Sequence, residues 1–574
     1  MATTLPRNAD VADQLDLLAD LSEIRGDDSF RVSAYRRAAT RVRDTSAPVA
    51  ELALAGRAKE LQGIGKTIEQ KILEIVQDGE IHALTRRKAE IPDEVVLFMR
   101  LPGLGPKSAK KIWKELGVTT LEQLREAAEA QRLRALPGMG GKTEENVLRS
   151  LAAPAAAEEP HRTLLGRALP ALKAVVSVLA EHPACEQVSI AGSARRYKET
   201  VRDLDIIATA SDAPGLIDYF TTLRWVVDIA AKGPTKATVV SRDGYRFDLR
   251  VVPPECYGNL LQHFTGSKEH NVALREAAVR RKLSVSEYGV QNTETGEMFT
   301  ARTEEELYRF LGCDFIPPEL RENSGELEAA RDGELPKLVE VRDLRGDMHT
   351  HTHWSADGEN TLEEMVRSAI AHGYEYYAIT DHSHYLREGR LEAQAEEIAA
   401  LQEAVAPFRI LRGVEVNIKA DGTLDLPDEQ LATLDWVVAS VHAVRQKNPL
   451  ERVFEAMENP YVDCIGHLTG RKLNKRPPVE IDLERVIEKA LETKTFLELN
   501  SQPDRLDVRD VHARAAREAG LKLVVNSDGH EIAAQDYVEF GVGQARRAWL
   551  TKADVVNTRT WKQIERIRKR RPST

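Results

Sequence analysis

Long apolar runs are missing from this 574-residue chain. None approaches the roughly 18 residues of a bilayer span, so no transmembrane segment is expected. Met1 to Val11 offer no basic stretch followed by an apolar one, and no signal peptide is expected. Cysteine is scarce. Cys185, Cys256, Cys313 and Cys464 are far apart and form no CxxC pair. That excludes a cysteine zinc finger and a disulfide scaffold, and suits a reducing cytoplasm. A positive excess is absent as well. The net charge of −11 argues against a chain that coats nucleic acid by bulk charge. Local DNA-binding surfaces remain open, because residues 1–150 carry 24 Lys and Arg against 23 Asp and Glu, a net of +1. With 42% apolar and 30% charged residues, the composition is that of a folded protein, not of collagen or long disorder. The length exceeds one hydrophobic core, so three or more domains are expected.

Along residues 5–150, apolar positions recur at i, i+3 and i+4, which predicts helices. LAAPAAAEEP (151–160) reads as a linker. A helix over 164–181 then leads into short strands at VSIAGS (188–193), DLDIIAT (203–209) and YRFDLRVV (245–252). Residues 260–318 return to helix with a small strand or two. A second, charged connector spans 319–342.

The last 230 or so residues have a different rhythm. RGDMHTH (345–351), YYAITDH (376–382), RILRGVE (409–415), WVVASVH (436–442), VDCIGH (462–467), TFLELN (495–500) and KLVVNSDGH (522–530) are short apolar strands with helical patterns between them. Most end in His, Asp or Glu. Such repeated units predict a parallel (β/α)7-like barrel with its chemistry at the C-terminal strand ends.

Three turns in the first region share one pattern. LQGIGKTIEQKI (61–72), LPGLGPKSAKKI (101–112) and LPGMGGKTEENV (136–147) each place Gly, an apolar residue and Gly before a helix. The glycines are Gly63 and Gly65, Gly103 and Gly105, and Gly138 and Gly140, followed by Lys66, Lys107 and Lys142. Glycine permits positive φ and close backbone approach. A helix start offers free N–H groups and a positive dipole end, which suit a DNA phosphate and read no sequence. A plain helix-turn-helix connector is the alternative for one copy; three copies favour phosphate binding.

Asp203 and Asp205 are two apart on a predicted strand and so share a face. Asp248 lies in a second strand, with Arg246 and Arg250 on its face. Three carboxylates on one sheet repel unless cations separate them. Two divalent ions would satisfy them, activate a 3′-hydroxyl and hold a triphosphate. Upstream, GSARR (192–196) offers Gly192, Ser193 and Arg196 to phosphate oxygens. Downstream, HFTGSKEHNVALR (263–275) has a Thr265-Gly266 turn, and Asn271 and Arg275 share one helix face.

Ten of the fifteen histidines lie in 347–574. His349, His351, Asp357, His382, Glu415, His442, His467, Asp528 and His530 sit at successive strand ends and make nine metal candidates. Nine are too many for one four-coordinate ion, but two or three ions with bridging carboxylates would use them all. Such a cluster serves phosphate-ester hydrolysis.

On these residues the chain resembles, over nearly its whole length, a bacterial family X DNA polymerase with a C-terminal polymerase-and-histidinol-phosphatase (PHP) domain. The resemblance implies that Asp203, Asp205 and Asp248 bind metal in a nucleotidyltransferase palm, with Asp248 the base or orienter for the primer 3′-OH. It assigns Gly192, Ser193 and Arg196 to the triphosphate, and Phe264, Thr265 and Gly266 to a sugar-discriminating turn. Asn271 would meet the incoming base and Arg275 the template. His263 replaces a Tyr of the vertebrate enzymes, which leaves ribonucleotide discrimination open, and Arg202 replaces the small residue usually found before the first Asp, which would crowd or recharge the site. Lys71 matches the Schiff-base lysine of a 5′-deoxyribose-phosphate lyase; it either serves that chemistry or is an ordinary helical lysine. Arg31, Tyr35 and Arg36 match 5′-phosphate contacts. All nine barrel ligands match the PHP metal motif, although SADG (355–358) is one residue longer. His353 and His384 are extra, and Tyr385, Arg387, Arg471 and Asn500 would line the mouth. PHP domains of this kind are associated with Mn-dependent 3′→5′ exonuclease, 3′-end cleaning and abasic-site cleavage.

The expected order is a lyase-like, 5′-phosphate-binding domain (1–85), helix-hairpin-helix fingers (86–152), palm (153–260), thumb (261–318), linker (319–342) and PHP barrel (343–574). The expected function is gap filling in DNA repair, of base-excision or end-joining type. Mg²⁺ or Mn²⁺ would serve the palm, and two or three Mn²⁺ or Zn²⁺, or Fe, the barrel. Partners would be gapped or primed DNA with a 5′-phosphate, dNTPs and repair proteins, with no membrane. The expectation is a cytoplasmic, nucleoid-associated bacterial monomer. The rival is a PHP nuclease whose polymerase half is a DNA-binding clamp; a repair scaffold without activity and a small-molecule phosphatase fit less well.

Overall fold

The computed structural model describes residues 5–45, 47–61, 63–99, 101, 104–152, 162–442 and 448–569. The expected linker at 151–160 falls almost wholly outside them, as does Gly103. The chain forms two compact units, the first holding the N-terminal 160 residues and the second 161–479 with 484–574.

The first unit is helical, as its periodicity predicts. Helices Lys66–Asp78, Pro106–Leu116 and Gly141–Ala152 each follow a Gly-x-Gly sequence. Gly65 and Gly105 occupy the N-cap positions, and Gly63 and Gly138 both take φ of +85°. Ile68, Ile72 and Ile75 recur at helical spacing and are buried, which turns that helix inward.

The second unit opens with a five-stranded sheet. Its order is Cys185–Ile190, Leu204–Ala210, Arg246–Val251, Lys236–Ser241 and Val226–Lys232. Only the pair Leu204–Ala210 and Arg246–Val251 is parallel. Helices Leu165–Ala180 and Ala213–Thr221 bury Leu172, Val175, Leu216 and Phe220 in its core. Helices Tyr257–Thr265 and Lys268–Val279 follow, with a small three-stranded antiparallel sheet and helix Glu304–Phe310.

The charged segment 319–342 is not an open connector. It holds helix Glu326–Asp332, and Leu320, Leu327, Ala330 and Leu338 join the core of the preceding region. Some of its charges are paired internally. Arg321 meets Glu304 at 2.5 Å, and Glu326 meets His270 at 2.7 Å. Paired, hydrogen-bonded charges tolerate burial that single ones do not.

Seven strands then run parallel in sequence order, from Gly346–Asp347 through Tyr376–Ile379, Arg409–Asn417, Trp436–Ser440, Cys464–Gly466, Phe496–Asn500 and Leu523–Asn526. A parallel bridge between Thr350 and Gly529 nearly closes the ring. Strands buried on both faces read as unbroken apolar runs. Trp436, Cys464, Phe496 and Val524 fill the interior, and Trp561 and Ile564 of helix Trp561–Ile567 join them. No helix among the described residues is long and apolar enough to cross a membrane.

Candidate active sites

The acidic site lies on the five-stranded sheet. Asp205 and Asp248 are register partners on its two parallel strands, so their side chains stand beside each other. Asp203 is in the bend just before the strand, not on it as expected, because the ladder begins at Leu204. Burial raises the Asp205 carboxyl to about 7, with the charges of Asp248 and Asp203 adding to it. Thr238 Oγ1 donates to Asp248. Gly192 has φ of +65°, and a Cβ there would fall 2.2 Å from Asp205 Oδ2. This glycine is required twice, by its backbone and by the carboxylate against it.

A cavity of about 360 Å³ opens at this point, lined by Asp203, Asp205, Ser193 and Arg196 with a rim of Arg202, Lys198 and Lys268. Anionic and cationic walls in one cavity suit a metal–phosphate complex. Arg196 Nε donates to Glu322 at 3.0 Å, and its Nη1 donates to the Thr265 carbonyl. Thr265 is buried, and its hydroxyl accepts from Arg195 at 2.7 Å. Gly266 has φ of +70° and ends the helix, which is the expected turn. Phe264 lies under the Arg250 guanidinium at 4.4 Å. The Asn271 amide is engaged within the chain, accepting from Gln262 and donating to the His263 carbonyl, both at 2.8 Å. Arg275 Nη2 is 3.2 Å from His263 Nδ1.

The barrel brings all nine candidate ligands together at the C-terminal ends of its strands. Glu415 is the centre. Its carboxylate lies 2.7 Å from His382, 3.1 Å from His467, 3.4 Å from His442, 3.5 Å from His349 and 3.7 Å from His351. Asp528 meets His351 at 3.3 Å, and Asp357 meets both His382 and His530 at 3.4 Å. His467 and Asp528 take left-handed backbone conformations, with φ of +24° and +52°. Such strained positions persist where the surroundings enforce them, often at functional sites.

The donor set fits a metal cluster. Nε2 of His349, both ring nitrogens of His351, Nδ1 of His382 and Oε2 of Glu415 are buried and make no well-aligned hydrogen bond. His351, His382 and His530 form one triad whose ligand atoms gather within 4.8 Å; His349, His351 and Glu415 form a second, and His382, Glu415 and His442 a third. Buried imidazoles and carboxylates aimed at one another are what a group of borderline divalent cations satisfies. Burial disfavours charge on His349, but Glu498, Glu415 and Asp528 outweigh it and raise the imidazole well above its usual range. Burial and the neighbouring His530 and His382 hold His351 well below that range.

Glu498, inside TFLELN, escaped the sequence reading. It accepts from His349 Nδ1 at 2.7 Å and from the His467 backbone N–H at 2.7 Å. Its signal was a carboxylate in an otherwise apolar strand, a position acids rarely take without a role. Asn417, 2.6 Å from His442 Nδ1, orients a second imidazole in the same way. Two mouth assignments do not hold. Arg471 is buried against Glu199 and the Leu506 carbonyl, and Asn500 is buried donating to Glu498 and Asp528. Arg387 meets Asp425 at 3.7 Å, and His353 faces Glu397 at 3.8 Å. The His384 ring is tilted against that of Tyr385 with ring centres 4.0 Å apart, and it neighbours His382.

In the first unit, Lys71 is buried and its Nζ is 5.8 Å from the Tyr35 ring centre. Burial lowers its pKa against the pull of Glu74, and Arg87, Arg86 and Arg31 add to the lowering. Arg36 does not join them. It pairs with Asp20 at 2.9 Å and Glu23 at 2.7 Å, since one residue beyond Tyr35 turns about 100° around the helix. Arg36 instead lines a cavity of about 550 Å³ with Lys107, Lys110, Lys111 and Lys114. Lys66 begins its helix and is exposed. A Cβ added at Gly63, Gly65, Gly105, Gly138 or Gly140 would meet nothing.

Comparison with known proteins agrees with this geometry. Residues 6–81 match the family described as helix-hairpin-helix domain, and 95–153 the SAM-like helix-hairpin-helix tandem. Residues 260–322 match the DNA polymerase beta thumb, and 347–502 the PHP domain. A polymerase-type thumb and a PHP barrel thus share one chain with two helix-hairpin-helix regions. The "DNA polymerase/3′-5′ exonuclease PolX" of Bacillus subtilis (strain 168) is 39% identical over 98% of this chain and 99% of its own length. A "Probable phosphatase" of Acetivibrio thermocellus is 32% identical over 39% of this chain and 95% of its own length. The chain belongs to the family X DNA polymerases that carry a C-terminal PHP domain.

Proposed function

We propose that the protein is a DNA-directed DNA polymerase that fills short gaps during repair, with a separate 3′→5′ exonuclease in its barrel. The observation that carries the reading is the pairing of Asp205 with Asp248 in strand register, beside a cavity that also holds Ser193 and Arg196. Asp203, Asp205 and Asp248 would hold Mg²⁺ or Mn²⁺, and the nine barrel ligands two or three Mn²⁺, Zn²⁺ or Fe ions; when bound, these cations activate the attacking oxygen and neutralise charge at phosphorus.

The chain's own groups do the rest. Ser193 and Arg196 orient the triphosphate, and Asp248 takes or orients the proton of the primer 3′-hydroxyl. Phe264 and Gly266 border the sugar, and Arg275 faces the template strand. Asn271 reaches the incoming base by exchanging its contacts to Gln262 and the His263 carbonyl. The open glycine turns at Gly63–Gly65, Gly105 and Gly138–Gly140 admit DNA phosphates at helix starts. Lys71, Tyr35 and Arg31 receive the 5′ side of the gap. In the barrel, Glu498 and Asn417 fix the ring orientation of His349 and His442. In this reading the domains keep the limits expected from the sequence, with 319–342 grouped with the thumb, whose core it joins.

One labelled primer on gapped, 5′-phosphorylated DNA with Mn²⁺ tests this. Asp205→Ala should only degrade the primer, and His349→Ala should only extend it. A wild type that shortens the primer and never extends it would favour a nuclease with a polymerase-derived DNA clamp.

A further inference from the structure

The segment after the Gly-Ser turn is held from outside the sheet. Arg547 ends barrel helix Val538–Arg547, and its Nη1 donates to the Arg196 carbonyl at 2.8 Å and to Glu322 Oε1 at 2.9 Å. Its Nη2 is 2.6 Å from Asp510. The same Glu322 oxygen accepts from Arg196 Nε at 3.0 Å. Along the same helix, Gln544 donates to the Tyr197 carbonyl at 2.7 Å, and the Tyr197 hydroxyl donates to Glu539 at 2.8 Å. Tyr197 has φ of +54°, a conformation that a residue with a side chain keeps only under constraint. Its ring fills the space over Gly543, where an added Cβ would lie 2.2 Å from Tyr197 Cδ1.

Only 2% of the Arg547 side chain is exposed. A buried guanidinium between two carboxylates has one fork geometry, and it cannot swing away without leaving buried charge unpaired. Arg196 inherits that rigidity through its carbonyl and through Glu322. Its side chain then borders the cavity that holds Ser193, Asp203 and Asp205.

We propose that Arg547 is a positioning residue for nucleotide binding, through which the barrel sets where Arg196 meets the triphosphate in the cavity of the sheet. This rests on reading that cavity as the nucleotide site. The barrel is then part of the polymerase as well as a hydrolytic domain. Arg547 touches no substrate and acts through residues 196–197 and Glu322.

Steady-state primer extension by the full-length chain tests it, using Arg547→Met, Arg547→Lys and Gly543→Ala. Arg547→Met should raise the dNTP KM about tenfold with kcat within about threefold, the scale of one charged hydrogen bond lost in ground-state binding. Arg547→Lys should recover part of this, since it keeps the charge and loses the fork. Gly543→Ala presses on Tyr197 without changing charge and should also raise KM. Mn²⁺-dependent degradation of single-stranded DNA should stay at the wild-type rate in all three, which a merely unfolded barrel would not allow. Unchanged dNTP KM in Arg547→Met and Gly543→Ala, with normal degradation, overturns the proposal. If Arg547→Met does not fold, Arg547→Lys decides by the same reading of KM. A wild type that never extends a primer overturns the polymerase reading and this proposal together; a normal wild type with unmoved variants overturns this proposal alone.

Discussion

Nδ1 of His349 stands 2.7 Å from Oε1 of Glu498, with both side chains fully buried. The contact turns Nε2 of His349 toward Glu415 and Asp528. The second Glu498 oxygen fixes the backbone of His467. One carboxylate therefore aims the His349 imidazole and anchors the main chain of His467. Glu498→Gln keeps the shape and loses the charge and one acceptor. We expect a loss of about 10–100-fold in metal affinity and in primer degradation, the usual scale for partners of metal-bound histidine. Primer extension should be unchanged. Metal content after dialysis and a degradation assay measure both, and wild-type values in each would sink the role.

Gly192 has no room for a methyl group. Gly192→Ala would force the Asp205 carboxylate to shift, besides straining a left-handed backbone. Extension should fall by roughly three powers of ten, equivalent to several kcal/mol of lost cation stabilisation. Degradation in the barrel should persist. Extension at the wild-type rate would mean that Asp205 can leave its place without cost.

Acid should loosen the contact between barrel and sheet. Burial opposes charge on Glu322, but Arg547, Lys198 and Arg196 hold its carboxyl down to about 2 from an ordinary 4.5. Between those values the unfolded chain carries the extra proton. The stability Glu322 contributes is thus complete above about 4.5 and is lost as pH falls towards about 2. Glu322→Gln should be less stable than wild type near neutrality, and the difference in Tm should shrink as the pH drops through that window. A difference independent of pH would assign the effect to shape.

Lys71 is the group to trap. Burial lowers its pKa against the pull of Glu74, and Arg87, Arg86 and Arg31 add to the lowering. A larger share of free amine favours attack on a sugar aldehyde. Borohydride should link the wild type, and not Lys71→Ala, to DNA bearing a 5′-deoxyribose phosphate. Equal trapping in the variant would remove Lys71 from that role.

Much of the site was legible because its signals are local. A His, Asp or Glu in or after an apolar strand is carried to the barrel mouth by that strand or the loop that follows it, and all nine came together there. The Gly-x-Gly turns were legible for the same reason: Gly63 and Gly138 adopt the positive φ that glycine permits. What escaped was partnership over distance. The charged segment 319–342 reads as a connector, yet Glu326 within it is buried on His270, 56 residues away. Arg36 looked equivalent to Arg31 and Tyr35 until helix phase sent it to Asp20 and Glu23.

The sequence by itself determined the kind of chemistry: which residues can bind metal, where strands end, and which turns only glycine can make. These follow from side-chain type and from periods of two and 3.6 residues. Only the tertiary structure decided which groups orient which. Glu498 serves His349 from 149 positions away, and Arg547 reaches Arg196 across 351. The physical reason is that a buried charge takes the partner that packing brings within about 3 Å, and separation along the chain carries no information about that distance.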